Sequence, residues 1–189
     1  MQPAFKVTLY ESLEALPEGV TGEILSEQLH TQSRLFSSSV PGLKALTVRG
    51  SGAGGWWICP EPEVHFMRDT EVAVPNLAGW RRKRMPYLPE GHRFEVAPGS
   101  ARSCPPLPGG SSTKRKGRET KMPLYAFYGV QYAWLIDPIE YGLEVYRLDV
   151  DTWVESGRFA GTDRVVAPPF EAVSLDLGVL WSPRGPALA

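Results

Sequence analysis

The sequence predicts a single α+β domain with a β-rich C-terminal third. Three observations predict it. The chain has 189 residues, a length that fits one domain. Its Trp 6, Tyr 7 and Phe 7 supply the large apolar side chains of a packed core. Apolar alternation is clear after residue 130, whereas helical spacing is confined to two short stretches.

Each element follows from local pattern. Tyr10–Leu16 reads as a short helix, with Leu13 and Leu16 on one side and Pro17-Glu18-Gly19 as its stop. Gly22–Leu29 reads as a strand with Ile24 and Leu29 inward. Trp56–Ile58 and Glu63–Phe66 read as strands connected through Pro60 and Pro62. Glu71–Ala78 is a further strand, irregular or near an edge at Pro75 because proline has no N–H to donate. Arg93–Val96 is another short strand. Thr113–Gly129 has helical spacing, with Leu124, Tyr125 and Tyr128 on one face and Gly129 as its end. Pro123 implies a kink there or a start near Met122. Gln131–Ile136, Gly142–Leu148 and Trp153–Gly157 form a β run, the last two joined as a hairpin through Asp149-Val150-Asp151. In the middle strand Leu143, Val145 and Tyr146 compete for the core. Val173, Leu175 and Leu177 alternate again before Leu180 and Trp181.

Two stretches resist assignment. Residues 31–55 are rich in Ser and Gly and have no period. Residues 97–113 hold too many prolines and glycines for a regular central strand. One domain is therefore expected over residues 1–181, with 31–55 and 97–113 irregular and 182–189 a frayed tail.

Composition excludes several classes. Lys+Arg 20 against Asp+Glu 21 gives a net charge of −1, so only local patches can argue for a charged partner. Cys59 and Cys104 are too few for a disulfide framework or a zinc site. No apolar run approaches the ~18–20 residues that span a bilayer. The first residues lack the basic start and apolar run of a signal peptide, and a cytoplasmic protein is expected.

Glycine and proline account for 19 and 18 residues, so short elements and many turns are expected. Longer strings carry more information. GGWWICPEPEVHF, EVAVPNLAGWRRKRMPYLPEG, KMPLYAFYGVQYAWLIDP, GLEVYRL and PPFEAVSLDLGVLW, with LPEGVTGEILSEQL near the start, resemble the Uma family in the family's order. That family is grouped with the restriction endonucleases of the PD-(D/E)xK nuclease superfamily. The resemblance implies a central mixed β-sheet flanked by helices, with a metal-binding edge. It implies Mg²⁺- or Mn²⁺-dependent hydrolysis of DNA phosphodiesters. DNA is then the partner, no membrane is involved, and a homodimer is a candidate assembly.

Carried over residue by residue, the resemblance assigns Glu23 as a metal ligand. The family's Asp in a V-P-D-L-A-G-W string is here Asn76, an amide that offers an oxygen without the charge that holds a hard divalent cation. The family's third ligand is a Glu in an E-V-x-S strand, and ungapped counting from Pro98 places Ser103 there. Glu95 resembles that motif superficially but falls in the preceding strand. Lys121 stands where the family carries a helix lysine that positions phosphate or water. The implied catalytic set is Glu23, Asn76 and Lys121, and the metal set is Glu23 and Asn76. Two acids of the site are missing. The resemblance thus predicts an impaired nuclease, a non-catalytic nuclease-fold protein that binds DNA or a partner, or a decayed inactive product.

Residues 31–50 and 99–113 match the family nowhere, although both flanks match. Compensating reading-frame shifts would produce such a pattern, and translating the encoding DNA in the other frames tests that. On this reading a helix near 31–50 and a core strand near 100–106 are lost. Two basic clusters are candidates for DNA phosphates: Arg81, Arg82, Lys83 and Arg84, and Lys114, Arg115 and Lys116 with Arg118. Each also fits a solvated loop or helix start. Trp56 and Trp57 are expected to pack rather than stack on bases, and His65 has no partner ligands in sequence.

Overall fold

A computed structural model describes residues 7–33, 55–103, 117–137, 140–171 and 174–181. Helix α1 (Leu9–Glu14) starts on a reciprocal cap. The Glu11 N–H donates to Thr8 Oγ1 at 3.1 Å and the Thr8 N–H donates to Glu11 Oε2 at 2.6 Å. Strands β1 (Val20–Leu25) and β2 (Gln28–Ser33) form an antiparallel hairpin. The sequence predicted one strand over 22–29 and no strand at 31–33. The turn is Ser26-Glu27, with φ of 51° and 60°, a left-handed pair that carries no Asn-Gly signature. A Cβ at Gly22 would collide with Leu16 of the segment after α1, so glycine there lets α1 lie on β1.

The next strands alternate between two sheets. They are β3 (Trp56–Pro60), β4 (Glu63–Met67), β5 (Glu71–Ala73), β6 (Leu77–Arg81), β7 (Arg93–Phe94) and β8 (Ser100–Ser103). Strands β4, β5 and β7 join the first sheet, of order β2-β1-β5-β4-β7, and β3, β6 and β8 join the second. The expected strand over 71–78 is therefore two strands, broken at Pro75, where the chain changes sheets. The β3–β4 connection changes sheets beside it, and the Glu61 N–H donates to the Asn76 carbonyl at 3.1 Å across the two crossings.

Strand β8 corrects the expectation that 97–113 holds no central strand. It lies between β6, antiparallel, and β9 (Tyr132–Asp137), parallel. The prolines of 97–113 flank the strand, Pro98 before it and Pro105, Pro106 and Pro108 after it, and none falls within the ladder. A backbone ladder needs N–H and C=O groups, and Ser100-Ala101-Arg102-Ser103 has all of them.

A π-helical turn (Gly117–Lys121) leads into helix α2 (Met122–Phe127), with Pro123 in its first turn. Residues 104–116 lie outside the described residues, and with them the start of the expected helix. Gly129, at φ 69°, ends α2 as predicted. The Val130 N–H donates to the Tyr125 carbonyl at 2.9 Å and the Gly129 N–H to the Ala126 carbonyl at 3.0 Å. The second sheet is completed by β10 (Gly142–Asp149) and β11 (Thr152–Ala160), in the order β11-β10-β9-β8-β6-β3. Leu143, Val145 and Tyr146 are all buried, because both faces of β10 are covered. One face packs Trp134, Ile136, Leu143 and Val145 on Leu175, Leu177 and Leu180 of the C-terminal segment. That segment holds β13 (Leu175–Asp176), paired with β12 (Arg164–Val165), and a 3₁₀ turn (Leu177–Leu180). The other face packs Ala133 and Tyr146 on Met122 of α2. The protein is a mixed α+β fold with few helices and much sheet. No helix among the described residues is long and apolar enough to cross a membrane.

Candidate functional site

Glu23 lies on β1 and Lys121 ends the π-helical turn, and the fold brings them into contact. Lys121 Nζ is 2.6 Å from Glu23 Oε1, with the two side chains 10% and 4% exposed. The Val74 N–H, at the sheet crossing, donates to the same carboxylate oxygen at 2.7 Å. Neither residue is a solvated surface side chain. Strand alternation explains the placement. Ile24 faces α1 with Leu13 and Val72, so Glu23 and Leu25 face the opposite side, where Leu25 packs with Ala73, Ala101 and Tyr125.

Asn76 is half-buried at the crossing between β5 and β6. Leu77 pairs with Arg102 and Ala78 with Ala101. Continued by one step, that register sets Asn76 opposite Ser103. The two positions that the resemblance singled out are thus neighbours on the backbone. Glu95 is exposed and lies near Arg68 and Arg93, each at 3.8 Å, away from this group.

The basic residues are not gathered here. Asn76 precedes β6 and Arg81 ends it, and strand length of roughly 3.3 Å per residue separates them by about 16 Å. The Arg81 guanidinium lies 4.7 Å from the Trp56 ring and that of Arg82 4.0 Å from the Trp57 ring. Lys83 and Arg84 are exposed. Trp56 is buried and the Trp57 indole N–H donates to the Met85 carbonyl at 3.0 Å, so both serve packing. Lys114, Arg115 and Lys116 lie outside the described residues. Arg118 is paired with Glu144, which also accepts from Arg158 Nη1 at 2.8 Å and from the Tyr146 hydroxyl at 2.9 Å.

Two features escaped the sequence reading. Tyr125, assigned only to an apolar helix face, is buried beside the Glu23–Lys121 pair. Burial and the Glu23 charge hold its hydroxyl well above the usual tyrosine pKa. The second is a polar network on the α1 side of the first sheet. Buried His65 Nε2 is 2.7 Å from Glu63 Oε1, which also accepts from the Tyr10 hydroxyl at 3.0 Å. The available signal was the Glu63-Val64-His65 spacing, which puts both polar residues on one strand face.

The donor set does not fit the divalent ion that the family resemblance implies. Its one carboxylate, Glu23, is already paired with an ammonium, and the other two positions hold Asn and Ser. Mg²⁺ and Mn²⁺ favour charged oxygen ligands. Among the described residues no group of three or more His, Cys, Asp or Glu side chains could hold a metal ion.

Comparison with known proteins agrees with the fold. The crystal structure of a "putative nuclease belonging to DUF820" from Anabaena variabilis superposes with a TM-score of 0.68 at 21% identity, covering 93% of this chain and 97% of that one. At that identity the likeness is one of fold. No curated protein matches. Residues 110–178, from the segment before the π-helical turn to the 3₁₀ turn, match the family model Uma2, described as "Putative restriction endonuclease", and the resemblance read from the sequence is to that family.

Proposed function

We propose that this chain is a nuclease-scaffold protein that contacts the phosphates of DNA without performing metal-dependent phosphodiester hydrolysis. One observation carries the reading. Glu23 is closed onto Lys121 at 2.6 Å, and Asn76 and Ser103 occupy the positions where the family resemblance calls for acids. An active site of that type gathers several carboxylates around its ion, and their excess negative charge attracts it. Here Glu23 and Lys121 cancel. The Lys83 and Arg84 side chains, exposed at the far end of β6, are suited to flanking phosphates.

The test is Mn²⁺-dependent nicking of supercoiled plasmid, with an EDTA control. The natural chain is compared with an Asn76→Asp, Ser103→Glu double variant. The expected result is no cleavage by the natural chain together with retained, salt-sensitive DNA binding. EDTA-sensitive cleavage by the natural chain would overturn the reading. It would favour the alternative of a working metal-dependent endonuclease, for which the juxtaposition of Glu23 and Lys121 is the supporting observation. Cleavage by the double variant alone would identify positions 76 and 103 as the lost ligands.

A further inference from the structure

The turn that follows β6 is rigid and holds one large ring out in solvent. The Arg84 and Met85 N–H groups both donate to the Arg81 carbonyl, at 2.9 and 3.1 Å, and the Arg82 N–H donates to the Gly55 carbonyl at 2.8 Å. Met85 is buried with Val64, Ala78, Trp80 and Phe94, and its carbonyl accepts from the Trp57 indole. Pro86 comes next and fixes one more backbone angle. Tyr87 follows it and is 86% exposed. Its ring meets no other ring among the described residues.

Charge and ring together say what covers this surface. Arg81, Arg82, Lys83 and Arg84 are consecutive cations, and among the described residues no carboxylate pairs with Arg81, Lys83 or Arg84. The Arg81 and Arg82 guanidinium groups are fixed over Trp56 and Trp57, at 4.7 and 4.0 Å. Adjacent cations repel one another, and a polyanion relieves that repulsion. Three Cα–Cα steps of about 3.8 Å keep Tyr87 within about 11 Å of Arg84. A phosphate held on Arg84 therefore brings its own base, or a neighbouring one, within reach of the ring. In a duplex the base faces are hidden in the stack, and only phosphates and groove edges meet a protein. An unpaired base offers a flat π-face that an exposed ring can cover. An apolar protein surface would cover the ring as well, but it has nothing for four cations.

We propose that the 81–84 turn and Tyr87 form a docking surface for single-stranded DNA, on which the cations hold phosphates and the Tyr87 ring stacks on an unpaired base. This rests on the reading of the chain as a DNA-contacting protein and adds a strand preference to it.

The test is fluorescence anisotropy with the full chain in EDTA. A labelled oligothymidine and a labelled duplex hairpin with the same number of phosphates are titrated separately. The natural chain should bind the oligothymidine more tightly. Tyr87→Ala should weaken oligothymidine binding about 5-fold or more, the loss of one stacked base, and duplex binding less than about 2-fold. Tyr87→Phe keeps the ring and should bind both probes as the natural chain does. A Lys83→Ala, Arg84→Ala double variant should weaken both probes together and flatten their salt dependence. Tyr87 lies outside the core, so neither substitution there threatens the fold. Preference for the duplex, or a Tyr87→Ala chain that keeps oligothymidine binding or loses both probes equally, overturns the stacking. Duplex binding that still depends on Lys83 and Arg84 then keeps the DNA reading. Binding of the oligothymidine alone upholds the stacking and confines that reading to single strands. Binding of neither probe refutes both.

Discussion

Removing one partner of the Glu23–Lys121 pair should destabilise the chain far more than removing a surface charge. The side chains are 4% and 10% exposed and 2.6 Å apart, so neither charge can be rehydrated in place. Breaking such a buried pair from one side costs about 3–5 kcal/mol, because a charge is left alone in low dielectric. In Lys121→Met the carboxylate keeps the Val74 N–H at 2.7 Å, which argues for the lower end, about 3 kcal/mol. Glu23→Gln should cost a similar amount, since it strands the ammonium. In a domain of this size that corresponds to a fall in Tm of roughly 6–12 °C. The double variant Glu23→Gln, Lys121→Met strands neither charge and should cost about as much as either single change. The coupling energy is then about 3 kcal/mol. Urea unfolding at pH 7, followed by circular dichroism with m held common, measures all four corners of the cycle. Singles that add to within about 0.5 kcal/mol would mean that the pair is solvated, and the argument from burial would be refuted.

Other outcomes follow from the same contacts. Glu144→Gln, at a buried residue that meets Arg118, Arg158 and Tyr146, should cost about 2–4 kcal/mol in urea unfolding, whereas Arg158→Ala, at a side chain 59% exposed, should cost less than about 1 kcal/mol. Gly129→Ala forces a side chain into φ 69° and should destabilise by about 1 kcal/mol in the same assay. Alkaline titration should find Tyr10 and Tyr128 ionising near pH 12. Both are raised to about 12, first by burial and then by hydrogen bonds to Glu63 and Glu71 respectively. A raised folded pKa contributes stability in full below the unfolded value near 10 and loses it as pH climbs towards 12. Unfolding free energy should therefore fall across that window, and Tyr10→Phe should flatten part of the slope, as absorbance at the tyrosinate band and urea midpoints together would record.

Much of the second sheet was readable because β9, β10 and β11 are runs of six to nine residues rich in apolar, β-branched and aromatic side chains, bounded by turn residues. The Ser26-Glu27 turn was not, since neither residue advertises a left-handed backbone. Glu71–Ala78 read as one strand because apolar residues stand on both sides of Pro75 and Asn76, and Pro75 marks an irregularity without announcing a change of sheet. Strand β8 was hidden for the opposite reason. Its side chains have weak strand preference, and its place between β6 and β9 is settled by pairing across long sequence separations. In the site, Glu23, Asn76, Ser103 and Lys121 came from resemblance, and the structure sets Glu23 against Lys121. The apolar helix face implied burial of Tyr125, but not its place beside Glu23, because that contact crosses from the helix to a strand a hundred residues away.

Strand β8 also bears on how such a protein can change over time. Its neighbours recognise it through main-chain amides, which every residue except proline supplies alike. Four small or polar residues can stand in the middle of a six-stranded sheet without breaking the ladder. Chemistry has no such tolerance, since one carboxylate exchanged for a hydroxyl removes a ligand outright. Architecture and reactivity are thus encoded in different parts of the same four residues. Mutations there can erase the second while the first persists, and a descendant so altered would still be recognised by shape as kin of its active ancestors.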